Sequence, residues 1–517
     1  MKKKQVILAI LDGWGITKAS KGNVITLAKT PTYDCLLKHY PNTKLVASGA
    51  KVGLPSTQDG NSEAGHMNIG AGRVIKQDDM YITSAIKNGT FLKNPAFLEA
   101  IHHAKENKSS IHLIGLLTGI QSAHVNPEHL NQLLGLLKKE KVEKVYLHLF
   151  SDGRDAPKYE SVNYLKKLKS KFRNGEKIAS ISGRFFAMDR NKKWVNSEKA
   201  YKAMVNGKGR EAKSAEEAIT QAYNSGESDE FITPTVIVNN KKPVGKIEDN
   251  DAIIFFNLRS DRARQLTKLF VQKNICDRNK TCRINRNKLK NIKFVSMSDF
   301  GPDLDDILTA FPSRDLLETL PMQLKEYRQL YMAESEKYAH VTYFFNGGYK
   351  DPVAGEAREM IPSPDVDSYD QKPEMSSHKI VRKLKSYIKN DKYDFYVVNF
   401  ASPDMVAHTG NLEAGIKAVE DVDRCLKELC EVVKKKRNMS MIITSDHGNV
   451  EEMIKLETGE IDTKHSSNPV PFILVDSQLK NKKLRQGILG DIAPTILDIM
   501  GITKPKLMSG KSLLKNR

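Results

Sequence analysis

Cysteine is scarce in this chain, with five in 517 residues: Cys35, Cys276, Cys282, Cys425 and Cys430. The set is odd and no pair has zinc-ribbon spacing, which excludes a disulfide-stapled scaffold. Free thiols in a reducing cytoplasm are the expected state. Long apolar runs are also missing. Nothing approaches the ~20 consecutive apolar residues of a membrane span. The basic start Met1-Lys2-Lys3-Lys4 with apolar residues 6–11 imitates a leader, but the run is short and Asp12 interrupts it, so a buried first strand is expected. Internal repeats and low-complexity tracts are absent. Aromatic residues make up only 7% and Trp only 2 positions, and no basic stretch interleaved with aromatics exists to hold nucleic acid. The net charge of +20 comes from 82 Lys and Arg against 62 Asp and Glu. These cations are scattered, with short clusters only at 2–4 and 434–437. They read as solvated faces, and the positive balance suits a small anionic substrate.

Short apolar runs recur instead, at residues 6–11, 111–117, 145–150, 252–256, 294–297, 340–345, 395–400, 441–444 and 471–475. Each reads as a buried parallel strand. Amphipathic helical segments lie between them at 160–172, 376–389 and 412–435. Alternation of this kind predicts an α/β architecture, and the length allows two large domains or three ordinary ones. Residues 274–291, basic and Cys-containing, read as a loop excursion, and 302–311 and 360–373 read as connectors. Many strands end in a polar residue: Asp12, Asp152-Gly153-Arg154-Asp155, Asn257-Leu258-Arg259, Asp404, Asp446-His447. In open α/β sheets ligands bind beyond the carboxyl ends of strands.

Ser62 stands in Asp59-Gly60-Asn61-Ser62-Glu63-Ala64-Gly65-His66, flanked by residues that let a ligand approach and followed by a run that could open a helix. Asp404 and His408 are four apart and share a face on a helical turn, or meet through a loop. Asp446 and His447 are adjacent, and His465 precedes a strand. With Asp12 and Ser62 this makes seven oxygen or nitrogen ligands, too many for one tetrahedral ion and a natural count for two. Carboxylates and imidazoles without thiolate suit Mn²⁺, Mg²⁺, Co²⁺ or Zn²⁺. Such a pair serves phosphoryl transfer to an activated serine.

The motifs Leu11-Asp12-Gly13-Trp14-Gly15, Gly60-Asn61-Ser62-Glu63-Ala64-Gly65-His66, Ser182-Gly183-Arg184-Phe185-Phe186-Ala187-Met188-Asp189-Arg190, Glu334-Ser335-Glu336-Lys337-Tyr338-Ala339-His340, Pro403-Asp404-Met405-Val406-Ala407-His408 and Ser445-Asp446-His447-Gly448-Asn449 are in order along the whole chain. Together they resemble the cofactor-independent phosphoglycerate mutases of the alkaline phosphatase superfamily. The resemblance implies an alkaline phosphatase-like α/β core (1–77 and 311–517), with a second α/β transferase domain inserted at 78–310 and hinges near 76–80 and 308–314. It implies that Asp12, Ser62, Asp446 and His447 hold one divalent ion, Mn²⁺ foremost, and Asp404, His408 and His465 another. Ser62 would be the nucleophile and Lys337 would neutralise the phosphoryl group. Arg154, Asp155, Arg184, Arg190, Arg259 and Arg262 would bind phosphoglycerate, with Asp155 also a candidate base. No bisphosphoglycerate, nucleic acid or membrane is implied, and a cytoplasmic monomer is. The chain departs from the pattern at Gly119-Ile120-Gln121-Ser122-Ala123-His124, where either Gln121 or His124 takes the place of the usual substrate histidine. A phosphatase or phosphopentomutase on the same metal core, or a catalytically silent binding protein, are the competing readings.

Overall fold

The computed structural model describes residues 3–272, 275, 286–301, 303–304, 306–313 and 315–515. The chain divides into two compact units, Met1–Gln77 with Arg314–Arg517, and Asp78–Ser313.

The first unit is built on an eight-stranded sheet in the spatial order Ala357–Ile361, Gln329–Glu334, Phe395–Phe400, Gln5–Leu11, Met439–Thr444, Val470–Val475, Asn42–Val46, Gly487–Ile488. Its five leading strands are mutually parallel. The run Gln-Val-Ile-Leu-Ala-Ile-Leu is buried at every position because helices cover both faces. One layer is the core of Ile7, Ala9, Leu11 and the helices Ser377–Lys389 and Leu412–Lys434. The other holds Val6, Leu8, Ile10 and the helices Ser62–Ala71 and Ile492–Met500.

The second unit has its own sheet, in which Ile307–Phe311, Lys293–Ser298, Ala252–Phe255, Ile111–Leu117, Val145–Ser151 and Lys177–Gly183 are parallel neighbours. Within it, His112 Nε2 meets Asp251 Oδ2 at 3.1 Å, His112 Nδ1 meets His148 Nε2 at 3.0 Å, and His148 Nδ1 meets Ser180 Oγ at 2.8 Å. This buried chain fixes the register of adjacent strands, since a one-residue slip would strand each polar group.

Four readings of the sequence need correction. Residues 340–345 are helical: His340–Phe344 forms a π-helical turn in which Phe345 N–H donates to the His340 carbonyl. Its apolar residues fit a buried helix as well as a strand. Residues 471–475 lie in an antiparallel strand, pairing Met441 with Val475 and Thr444 with Phe472. The chain leaves Met439–Thr444 through an excursion that turns back at the Gly448–Ser466 bridge, so it re-enters the sheet reversed. The connector read at 302–311 ends in the strand Ile307–Phe311, and that at 360–373 begins in the strand Ala357–Ile361. Most of the excursion read at 274–291, including Cys276 and Cys282, falls outside the described residues. Cys35, Cys425 and Cys430 are free thiols.

Candidate metal centre and anion site

In the first unit, four adjacent parallel strands deliver polar residues from their carboxyl ends. Asp12 follows Gln5–Leu11, Lys337 closes the short turn after Gln329–Glu334, Asp404 sits in the helix Ser402–Ala407 after Phe395–Phe400, and Asp446-His447 follows Met439–Thr444. Gly13, at φ 71, passes so close to Asp404 that an added Cβ would lie 2.9 Å from the Asp404 Cβ. Ser62 is the first residue of the helix Ser62–Ala71, whose cap Asn61 accepts the Ala64 N–H at 2.9 Å. The serine hydroxyl therefore stands where the helix end favours negative charge.

Ser62 Oγ lies 2.9 Å from His447 Nε2, 2.9 Å from Lys337 Nζ and 3.4 Å from Asp12 Oδ1. Lys337 Nζ also donates to Asp12 Oδ1 at 2.7 Å and Asp404 Oδ2 at 2.6 Å. Two triads gather ligand atoms within 4.8 Å of one another: Asp12, Asp446 and His447, and Asp404, His408 and His465. All seven proposed ligands thus come together, and the Asp404–His408 pair does so on a helical turn.

The donor chemistry fits divalent cations. His408 Nδ1 donates to the Thr463 carbonyl at 2.8 Å and His465 Nδ1 to the Gly60 carbonyl at 2.9 Å. Their Nε2 atoms are thereby committed to the centre, 3.1 Å apart and each 3.4 Å from Asp404 Oδ1. Two nitrogens bound to one cation at about 2.1 Å stand about 3.0–3.4 Å apart. His447 Nδ1 faces the Gly448 carbonyl at 3.2 Å, leaving its Nε2 toward Ser62. Asp446 Oδ2 is buried without a hydrogen bond. His66 Nδ1 is 3.2 Å away, but its proton is directed to the Ser62 carbonyl at 2.9 Å.

The field is strongly negative. Burial resists ionisation of Asp404, yet Lys337 and His408 hold its carboxyl well below the usual carboxylate range. Burial opposes the charge on His447, but Asp446 and Asp12 push its imidazole up to about 10. Burial likewise opposes the Lys337 ammonium, and Asp12 and Asp404 override it and raise its pKa. Asn399 Nδ2 donates to Asp12 Oδ2 at 2.6 Å and Asn449 Nδ2 to Asp404 Oδ1 at 2.7 Å. Sequence reasoning missed both amides as partners, because nothing in their spacing marks them.

In the second unit the carboxyl ends of the parallel strands carry a set of opposite sign. Arg184 is buried, with Nη1 2.6 Å from Asp152 Oδ1 and 3.1 Å from Asp155 Oδ2. Arg190 pairs with Asp261 at 3.0 Å, Arg259 faces the same carboxylate at 3.8 Å, and Arg154 lies 3.6 Å from Glu230. Arg262 Nη1 donates to the Met188 carbonyl at 3.3 Å. Burial, then Arg184, Arg190 and Arg154, lower the Arg262 pKa. Guanidinium groups gathered in this way are suited to an anion. His124 is buried in this cluster, and its pKa falls to about 4 through burial and then Arg184. Its Nδ1 has no hydrogen-bond partner. Gln121 is exposed and donates to the Tyr164 hydroxyl at 2.9 Å instead. Ser122 donates to Asp155 at 2.7 Å. Asp152 is the residue the sequence underplayed. Besides Arg184, it accepts the Thr118 hydroxyl at 2.5 Å and the N–H groups of Arg154 and Asp155 at 3.2 and 3.0 Å. Its place in Asp152-Gly153-Arg154-Asp155 was the available signal.

The fold and this donor set define an α/β metalloenzyme, and the chain matches the Metalloenzyme superfamily over residues 4–504. It is 48% identical over 520 residues to the 2,3-bisphosphoglycerate-independent phosphoglycerate mutase of Clostridioides difficile (strain 630), covering 99% of this chain and 100% of that protein. It is 46% identical to the enzyme of the same name from Clostridium acetobutylicum, with 100% of both chains covered. A crystal structure of Leishmania mexicana phosphoglycerate mutase at low cobalt concentration superposes with a TM-score of 0.78 at 27% identity, covering 100% of this chain and 98% of that one. The chain belongs to the 2,3-bisphosphoglycerate-independent phosphoglycerate mutases.

Proposed function

We propose that the protein interconverts 2-phosphoglycerate and 3-phosphoglycerate through a phosphoserine on Ser62. The observation that carries this reading is the Ser62 hydroxyl, 2.9 Å from both His447 Nε2 and Lys337 Nζ at a helix N-terminus. Asp12, Ser62, Asp446 and His447 would hold one divalent cation and Asp404, His408 and His465 a second, with Mn²⁺ the preferred ion. Such cations lower the pKa of a bound hydroxyl and offset charge on phosphoryl oxygens.

Ser62 Oγ attacks the phosphorus, an Oγ–P bond forms, and the bond from phosphorus to the glycerate oxygen breaks. Lys337 holds its ammonium against the phosphoryl oxygens. Arg154, Arg184, Arg190, Arg259 and Arg262 grip the carboxylate and phosphate, so that positioning and charge neutralisation supply most of the acceleration. In the first half the proton of the Ser62 hydroxyl passes to the departing glycerate oxygen; in the second the Asp155 carboxylate takes the proton of the attacking glycerate hydroxyl, and it returns to Ser62. Burial works against ionisation of Asp155, but Arg184 and Ser122 keep it a carboxylate at neutral pH. His124 stays neutral beside it and can hydrogen-bond either hydroxyl. The other hydroxyl then takes the phosphoryl group from Ser62, with no bisphosphate required. The free thiols Cys35, Cys425 and Cys430 support a reducing, cytoplasmic setting, the scattered positive charge suits a small anionic substrate, and the family resemblance alone supports a monomer.

The test is to quench the enzyme during turnover with labelled 3-phosphoglycerate and map the label. It should lie on Ser62, and Ser62→Ala should fold normally and lose at least about 10⁴-fold in kcat. Retained turnover in that variant removes Ser62 from the role.

A further inference from the structure

Away from the catalytic triads, a third group of metal-ligating side chains joins two helices of the first unit. His378 lies in the first turn of Ser377–Lys389, and Asp421 and Cys425 are four apart on Leu412–Lys434. Spacing of four puts both on one helix face, toward His378. Each residue offers one ligand atom, and the three atoms lie within 4.8 Å of one another. His378 Nε2 is 2.6 Å from Asp421 Oδ1 and His378 Nδ1 is 3.8 Å from Cys425 Sγ.

Two further observations separate this group from an ordinary ion pair. Asp421 Oδ1 receives both His378 and Arg424, the latter at 2.8 Å, whereas Asp421 Oδ2 is buried and has no hydrogen-bond partner. Asp421 is only 1% exposed, so that oxygen has given up water without compensation. Cys425 is fully buried and free, while the His378 side chain is 44% exposed. The group has a closed inner end with thiol and carboxylate, and an imidazole at an open outer end through which an ion can enter.

We propose that His378, Asp421 and Cys425 form a third cation site, selective for thiophilic divalent ions of the Zn²⁺ and Cd²⁺ class. A thiolate, an imidazole and a carboxylate make a donor set that prefers these ions over Mg²⁺ or Mn²⁺. Solvent at the His378 side completes the coordination. Burial, then Asp421 and Glu428, push the Cys425 thiol pKa up, so the group holds its proton until a cation displaces it. Binding therefore exchanges one cation for the thiol proton, with no change of oxidation state. The bound ion would clamp the helix Ser377–Lys389 to Leu412–Lys434.

The test titrates chelator-stripped, full-length protein with Cd²⁺ and follows the ultraviolet thiolate-to-metal charge-transfer band. The catalytic triads contain no sulfur and contribute nothing to it. The expected result is one equivalent of band-forming site and one proton released per equivalent, with Zn²⁺ competing and Mn²⁺ not. Cys425→Ser should abolish the band. His378→Ala, at a half-exposed position that tolerates change, should weaken Cd²⁺ at least tenfold. Absence of the band in the parent protein, its persistence in Cys425→Ser, or an unchanged affinity in His378→Ala would each overturn the proposal.

Discussion

Arg184 Nη1 lies 2.6 Å from Asp152 Oδ1, and both side chains are buried. Because Asp152 also takes the Thr118 hydroxyl and two backbone N–H groups of the following loop, one carboxylate sets the positions of Arg154, Asp155 and Arg184 together. Asp152→Asn keeps the volume and removes the charge opposite a buried guanidinium. It should cost about 3 kcal/mol of stability and about 10- to 100-fold in kcat/KM, most of it in KM. Denaturant unfolding and steady-state kinetics read the two effects. An unchanged KM would separate Asp152 from substrate binding.

Lys337 Nζ pairs with Asp12 Oδ1 and Asp404 Oδ2, oxygens of two proposed cation ligands. Lys337→Met should lower kcat by about 10²- to 10³-fold while Mn²⁺ binds at least as tightly as in the parent, because two carboxylate oxygens are released. Chelation should silence the parent enzyme, and added Mn²⁺ should restore it. Calorimetric Mn²⁺ titration beside turnover checks both statements, and weakened Mn²⁺ binding in the variant would contradict the first.

The divergent loop offers two candidates that point different ways. Gln121 faces Tyr164, whereas His124 is buried among Arg184, Asp155 and Asp261. Gln121→Ala should leave kcat/KM within about twofold, and His124→Ala should lower it by about 10- to 100-fold, the loss expected for one positioned hydrogen bond. The opposite ranking would reassign the contact.

Glu334 is buried, Oε1 accepting the Ser376 N–H at 2.9 Å and Oε2 accepting nothing. Burial raises its pKa from 4.5 to about 7. Between those values the folded state keeps a proton that the unfolded chain has lost. Stability therefore falls as pH rises through this window and levels off above it, by about 3 kcal/mol in all. Glu334→Gln should remove this slope and be more stable than the parent at pH 8 but not at pH 5. Equal denaturation midpoints for the two proteins at pH 8 would refute the burial argument.

Three of the four strands that deliver polar residues to the Ser62 site were legible in the sequence, whereas Gln329–Glu334, which leads to Lys337, was not read as a strand. Residues 6–11, 395–400 and 441–444 are buried on both faces, so their composition is apolar apart from Asn399 and Thr444, and the acidic residue that follows each stands out. Asn42–Val46 and Lys177–Gly183 escaped notice because mixed polar sequences there meet the sheet through backbone pairing rather than an apolar run. Residues 340–345 misled for the opposite reason: Val341 and Phe345 bury against the Ser62–Ala71 helix, where Gly70 lets the Phe345 carbonyl approach. The seven proposed ligands were named from residue type and spacing, and the structure gathers them around Ser62. Asn399 and Asn449 could not be named so, since their importance lies in partners far away in the chain, whereas Asp152 stood in a strand-end motif that was read without its bonds to Thr118 and Arg184.

The three imidazoles of the metal centre are steered by the carbonyls of Thr463, Gly60 and Gly448. No point substitution can delete a peptide oxygen, so the aim of these rings is insulated from mutational drift at those positions. The insulation is uneven. Thr463 is exposed and has room for other side chains toward solvent, whereas a methyl group at Gly60 would strike the Ala47 carbonyl and one at Gly448 would strike Ser466. A saturation scan of the rim would therefore show permissive and forbidden sites side by side, sorted by room for a first carbon rather than by polarity.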